Sequence, residues 1–311
     1  MSTAVQAPQR HETMIRLLLS LCLLSIATSA HASPPCRQPA DQVEHGQARL
    51  TVRVEGTGRP VLMIPSLGRG MADFDLLARD LVAQGYTGIR YEPRWFGPST
   101  GPTEADLHDL AGDAAAVAAA ACPDQSVAVI GHALGNRIAR TMAADHPDQV
   151  SSIILLAAGG QVPIAPDIEQ AILTSASQGL VPDAERLSAL ATAFFAPGQD
   201  AAAWLTGWDP QAAQLQARAV RVTQDRDWAT AGTVPLLIVQ PTMDPVAPVA
   251  NGRILLESYR GPAVLVTLDH ASHAILPEQP AAVSAITLAW MAGEREAARL
   301  QAISTENART P

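Results

Sequence analysis

"VIGHALGNRIAR", residues 129 to 140, begins as a short apolar strand, turns sharply between Gly131 and Gly135, and continues as a run with helical character. A strand–turn–helix of this kind delivers one side chain to the upper edge of a sheet. Glycines on both sides of the tip let the strand and helix backbones approach where a side chain would clash. The residue at the tip is Ala133. A methyl group cannot attack a substrate. Taken alone, the glycine spacing is not specific, since any tight crossover can use it.

Working outward, residues 48 to 158 alternate between strand-like and helix-like text. "ARLTVRVEG" alternates apolar and polar residues, whereas "VLMI" (61–64), "SVAVIGH" and "VSSIILLAA" are almost wholly apolar. The first pattern predicts a half-buried strand and the others predict strands covered on both faces. Between them, "MADFDLLARDLVAQG" and "EADLHDLAGDAAAVAAAA" carry helical spacing and strong helix formers. Strands separated by helices of this length predict βαβ units and a parallel sheet. Residues 161 to 231 break the rhythm with irregular helical text, and they hold Phe194, Phe195, Trp204, Trp208 and Trp228. Alternation resumes with "VPLLIVQ", "ANGRILLESY", "PAVLVTL" and the helical run "PAAVSAITLAWMAGEREAARL". The expected organisation is a sheet domain over 33–160 and 232–293, a helical cap over 161–231, and a tail over 294–311 that frays from about residue 302.

The chain has 311 residues, 48% hydrophobic and 16% charged, enough apolar text for a large core. A net charge of −9 with no basic run gives no electrostatic reason to bind nucleic acid. Near the start, "MIRLLLSLCLLSIATSAHA" (14–32) has a positive start, a short apolar core and an Ala30-His31-Ala32 end. That pattern predicts a secretory signal within residues 1–32, a periplasmic or secreted protein, and no stable membrane span after cleavage. Removing the signal leaves Cys36 and Cys122. In an oxidising compartment an even pair is a candidate disulfide. Two unrelated thiols fit the sequence equally well.

Four motifs in order give the chain a resemblance to the α/β-hydrolase superfamily, over roughly residues 45 to 293. The first is the elbow, Gly131-His132-Ala133-Leu134-Gly135. The second is "VQPTMDPVAP", where an acid after a strand, Asp244, stands in the place of the family's triad carboxylate. The third is "LDHASHAILPEQP", in which His273, Glu278 and Pro280 match the spacing around the family's histidine. His270 is a rival without the downstream pattern, and Ser272 replaces the usual glycine. The fourth is "YEPRWFGPSTG", with Glu92, Arg94, Gly97 and Ser99 in the places of an architectural loop. The resemblance implies an α/β-hydrolase fold, a mostly parallel sheet with helices on both faces and an inserted helical cap. It also implies an oxyanion hole made by the backbone N–H groups of Leu134 and Leu67, the latter on a loop reading Pro65-Ser66-Leu67.

Ala133 replaces the nucleophile serine of the family, so acyl-enzyme chemistry at that position is excluded. A minority of the superfamily carries Gly-His-Ala at the elbow, including the aminoacrylate hydrolase group of pyrimidine degradation, and this elbow resembles theirs. Three readings remain. His273, oriented by Asp244, activates a water that attacks directly. Ser66 supplies the hydroxyl, against the plainer reading that it only bonds a turn. Or the protein is a non-catalytic binder of a small apolar ligand. Among the cap aromatics, Phe194, Phe195 and Trp204 are candidates to line the substrate pocket. Trp204 and Trp208, four apart, suit one helical face of a cap core. An uncharged, mid-sized small molecule is the expected substrate. No zinc spacing, phosphate loop or dinucleotide fingerprint is present, so no cofactor or metal is implied.

Overall fold

The wholly apolar runs become interior strands and the alternating run lies towards one edge, as burial on two faces or one requires. The computed structural model describes residues 1–4, 35–229 and 232–308. The predicted signal, Met14 to Ala32, lies outside the described residues. An antiparallel hairpin opens the sheet, β1 (Gln42–His45) and β2 (Ala48–Glu55). β1 is an addition to the sequence reading, because "QVEH" is too short and polar to announce itself. Next come β3 (Pro60–Ile64), α1 (Asp75–Ala83), β4 (Thr87–Tyr91) and α2 (Leu107–Ala121). β5 (Val127–His132), α3 (Leu134–Asp145) and β6 (Val150–Leu156) complete the first half.

The chain then leaves the sheet for α4 (Pro166–Ala176), α5 (Asp183–Ala193), α6 (Pro210–Val222) and the single turn α7 (Asp225–Trp228). It returns through β7 (Leu236–Pro241), α8 (Val249–Ser258), β8 (Ala263–Leu268), the single turn α9 (Ile275–Glu278), α10 (Pro280–Met291) and α11 (Ala297–Asn307). The eight strands lie in the order β1-β2-β4-β3-β5-β6-β7-β8. β2 is antiparallel to both its neighbours, and every other pairing is parallel. β6 pairs directly with β7, with Ile153 opposite Leu236, so the excursion over α4–α7 is looped out of the sheet and covers its upper edge.

Helices pack on both faces. Leu110, Val117, Ile138 and Met142 of α2 and α3 enter one core. Leu77, Leu81, Ile286 and Leu300 of α1, α10 and α11 enter the other. The predicted tail is therefore corrected in part: residues 297–307 are a helix whose Leu300 is fully buried. The single helical run expected over 280–300 is two helices. Gly293 sits at φ 106° after α10, a backbone state that ends a helix and that glycine adopts without penalty. Cys36 and Cys122 are joined in a disulfide, which ties the start of the described chain to the end of α2. Among the described residues no helix is long and apolar enough to cross a membrane.

Candidate active site

The elbow is built by close approach. A Cβ on Gly135 would stand 2.1 Å from the Ile64 carbonyl oxygen, and one on Gly131 would stand 2.3 Å from the Gly135 oxygen. Only hydrogen fits at either place. Between them Ala133 adopts φ 50°, ψ −110°, a strained state for a residue with a side chain. Its N–H donates to the Leu156 carbonyl at 3.1 Å, and its own carbonyl accepts the Asn136 N–H at 3.1 Å and the Asn136 side-chain amide. The turn that would present a serine is thus fully formed around a methyl group.

The acid and base predicted from separate motifs meet in space. Asp244 follows β7, and its Oδ1 accepts the N–H groups of Val246 and Ala247 at 2.8 Å each. Its Oδ2 accepts the Nδ1–H of His273 at 2.8 Å. Both side chains are almost wholly buried. This bond fixes the tautomer that leaves Nε2 bare. Among the described residues Nε2 has no protein partner, and His273 lines the cavity above Ala133. His270 sits on an exposed turn at φ 55°, outside that lining.

His132, inside the elbow, was not among the candidate residues. Its Nε2–H donates to the His273 carbonyl at 2.8 Å, and the two rings lie 5.5 Å apart. Burial, reinforced by the neighbouring His273, pushes its pKa down to about 3, so this ring is neutral. Glu278 braces the same loop from below: its carboxylate accepts the Ser272 N–H at 2.7 Å and the Ala196 N–H of the cap at 2.6 Å. Burial raises its pKa to about 7 despite those two bonds.

A cavity of about 390 Å³ opens over these groups, within the usual range for a small-molecule site. Ser66, Leu67, Ala133, Leu134 and His273 form its floor. Among the described residues the backbone amides of Leu67 and Leu134 donate to no protein acceptor, as an oxyanion hole requires. The loop carrying Leu67 is held by the cap, since the Gly68 N–H donates to the buried Gln216 side chain of α6 at 2.7 Å. Ser66 closes its turn with its carbonyl, which accepts the Arg69 N–H, while its hydroxyl has no partner among the described residues. Among the described residues no group of three or more His, Cys, Asp or Glu side chains could hold a metal ion.

Of the three aromatics expected at the substrate, Phe194 lines the cavity, whereas Phe195 and Trp204 do not. Trp204 turns away to meet His132, Phe194 and Phe195, and it stacks against Arg69 at 4.7 Å. Trp208 takes its place on the cavity wall. The two tryptophans do meet, with ring centres 5.8 Å apart, but no common helix carries them. Trp204 ends a short 3-10 turn, and the chain bends through Gly207 before Trp208. The fourth motif is architectural, as expected. Arg94 pairs with Asp113 through two bonds, and Ser99 bridges Glu92 and Thr51.

A parallel sheet carrying a glycine-flanked elbow, an Asp–His pair after later strands and two free amides beneath a helical cap defines a hydrolase-type site. Residues 59–280 match the alpha/beta hydrolase fold family, and the chain belongs to that family. Solved structures share the fold at low identity. An esterase from Exiguobacterium antarcticum superposes with a TM-score of 0.67 at 19% identity, over 84% of this chain and 100% of its own. The esterase RhEst1 from a Rhodococcus species gives 0.69 at 19%, over 83% and 99%. Est816, described as an N-acyl homoserine lactone degrading enzyme, gives 0.66 at 18%, over 80% and 99%.

Proposed function

We propose that this protein is an exported, cofactor-independent hydrolase of an activated ester, lactone or amide-like bond, and that its nucleophile is water. The observation that carries this reading is the bare Nε2 of His273, backed by Asp244 and facing the cavity above a formed elbow that lacks a serine. In this mechanism His273 takes a proton from water as the water oxygen bonds to the substrate carbonyl carbon. The carbonyl oxygen becomes an oxyanion held by the Leu67 and Leu134 amides. Collapse breaks the bond to the leaving group, which leaves with the proton from His273. Activated substrates suit a site without covalent catalysis, because their leaving groups need little help. The Gly-His-Ala resemblance and the lactone-degrading neighbour both agree with that class. Export is supported by the signal-like segment and by the Cys36–Cys122 disulfide, which belongs in an oxidising compartment.

A second reading draws on one observation: the unbonded Ser66 hydroxyl on the cavity floor could be the nucleophile instead. Turnover of short p-nitrophenyl esters and a lactone panel tests all of these. With water as nucleophile, His273→Ala should lower kcat at least 100-fold, and Ser66→Ala should retain most of it. Loss of turnover in Ser66→Ala moves the nucleophile to Ser66. Turnover indifferent to His273→Ala removes the base. A protein that turns over nothing in a broad screen is the non-catalytic binder of a small apolar ligand.

A further inference from the structure

We infer that the substrate carries an anionic group, a carboxylate or its equivalent, received by Arg137 on the cavity wall with Arg221 at the rim. The inference rests on the hydrolytic reading for the bond that breaks, though not for the binding of the anion. Arg137 lies four residues after Ala133, roughly 6 Å along α3 from the elbow. Its guanidinium stacks on Trp228 at 4.2 Å and passes beside Gly159. Among the described residues it uses one N–H donor, in a 3.4 Å bond to the Gly160 carbonyl, and no carboxylate lies within ion-pairing distance.

Among the described residues the buried arginines each hold a carboxylate or several oxygens. Arg94 holds Asp113, Arg69 holds Asp73, and Arg140 donates to four oxygens within 3.3 Å. Arg137, partly buried, makes one long bond and no ion pair, and it lines the cavity. Burial lowers its pKa, as it lowers that of neighbouring Arg140, and Asp225 acts on it only from a distance. A guanidinium held over an aromatic ring, with its remaining donors unbonded among the described residues, can offer two parallel bonds to a carboxylate. Arg221, exposed in the last turn of α6, adds a second positive charge to the wall. Glu169 is the sole acid among the lining residues. It is exposed on α4 and pairs with neither arginine. The rest of the wall is largely apolar, so the charge has little local competition. The expectation of an uncharged substrate did not anticipate this arginine.

Calorimetric titration of the full chain with hexanoate and with the neutral isostere hexanamide, at low salt, tests the inference. Hexanoate should bind at least tenfold tighter, with the advantage shrinking as ionic strength rises. The advantage should persist in His273→Ala, collapse in Arg137→Met and return in part in Arg137→Lys. That last variant keeps the charge and also answers for any folding defect of the methionine. Equal affinity for the two ligands, or a preference that survives the loss of Arg137, overturns the assignment. A parallel assay compares kcat/KM for p-nitrophenyl hydrogen adipate and p-nitrophenyl hexanoate, where the adipate should be favoured. Selective hexanoate binding with neither ester turned over retains the anion site and removes the hydrolytic reading. Turnover of both esters at equal kcat/KM without hexanoate selectivity does the reverse.

Discussion

Ala133 holds a positive φ that costs a non-glycine residue about 1 to 3 kcal/mol. Its hydrogen bonds to Leu156 and Asn136 offset that cost and do not involve its side chain. Ala133→Ser should therefore keep the turn and set a hydroxyl in the cavity beside His273. The variant should label stoichiometrically with a fluorophosphonate probe at position 133, read by mass spectrometry, while the natural protein stays unlabelled there. If water is the native nucleophile, the new hydroxyl displaces it and native turnover falls even as an ester burst appears. An inert but folded variant would point to a closed pocket or a misaligned base. His132 makes a second prediction. Its folded-state pKa of about 3 lies below the ordinary histidine value of 6.5, so between those values the unfolded chain binds a proton that the folded chain refuses. Stability must fall as pH drops through that window, by up to about 1.4 kcal/mol per pH unit for one proton. His132→Gln can still donate to the His273 carbonyl but does not titrate, so urea denaturation across the window should show a shallower slope. Asp244 and His273 were legible because each follows its strand with a characteristic spacing. The supporting role of His132 was not, because its partner is 141 residues away.

Elements were legible wherever one face or two decided the residue pattern, as in β2, β3, β5, β6 and β7. The C-terminal helix escaped for a physical reason. α11 buries Leu300 and packs Ile303 against the core, but its other contacts are polar, and with them it finishes the exposed edge of the sheet. Gln301 accepts the Thr267 N–H at 2.9 Å and donates to the Thr267 carbonyl at 3.0 Å, as a neighbouring strand would. Ser304 adds a bond to the same carbonyl at 2.8 Å. An edge strand left with unpaired groups invites pairing with another chain. Deleting residues 296–311 should thus promote association more than unfolding. Light scattering should rise on mild warming while far-UV circular dichroism still reports a folded sheet. Gln301→Ala should move the same way, less far, at a cost of about 1 kcal/mol. Unchanged scattering in the deletion would mean that β8 is protected by something other than α11.

At the scale of the whole molecule, the sheet holds Ala133, Asp244 and His273 on loops beyond β5, β7 and β8, and the cap closes over them through Gln216, Phe194 and Ala196. Such a site depends on the sheet keeping its shape, and part of that security is covalent. The disulfide between Cys36 and Cys122 closes a loop with a sequence separation of 86, containing β1 to β4 and α2. In the chain-entropy treatment such a loop stabilises the native state by about 4 to 5 kcal/mol, by restricting the unfolded one. Cys122 precedes the start of β5 and Ala133 follows its end, so bond and chemistry lie at opposite ends of that strand and are separable. Cys36→Ser, which replaces the less buried partner, should lower Tm on the order of 10 °C. It should leave KM and kcat close to those of the parent at 25 °C. Dithiothreitol should reproduce that loss in the parent and add nothing in the variant. Equal Tm values for parent and variant would show that the bond does not form in the protein as made. They would also withdraw the disulfide's support for an oxidising compartment, leaving the signal-like segment alone to carry the proposal of export.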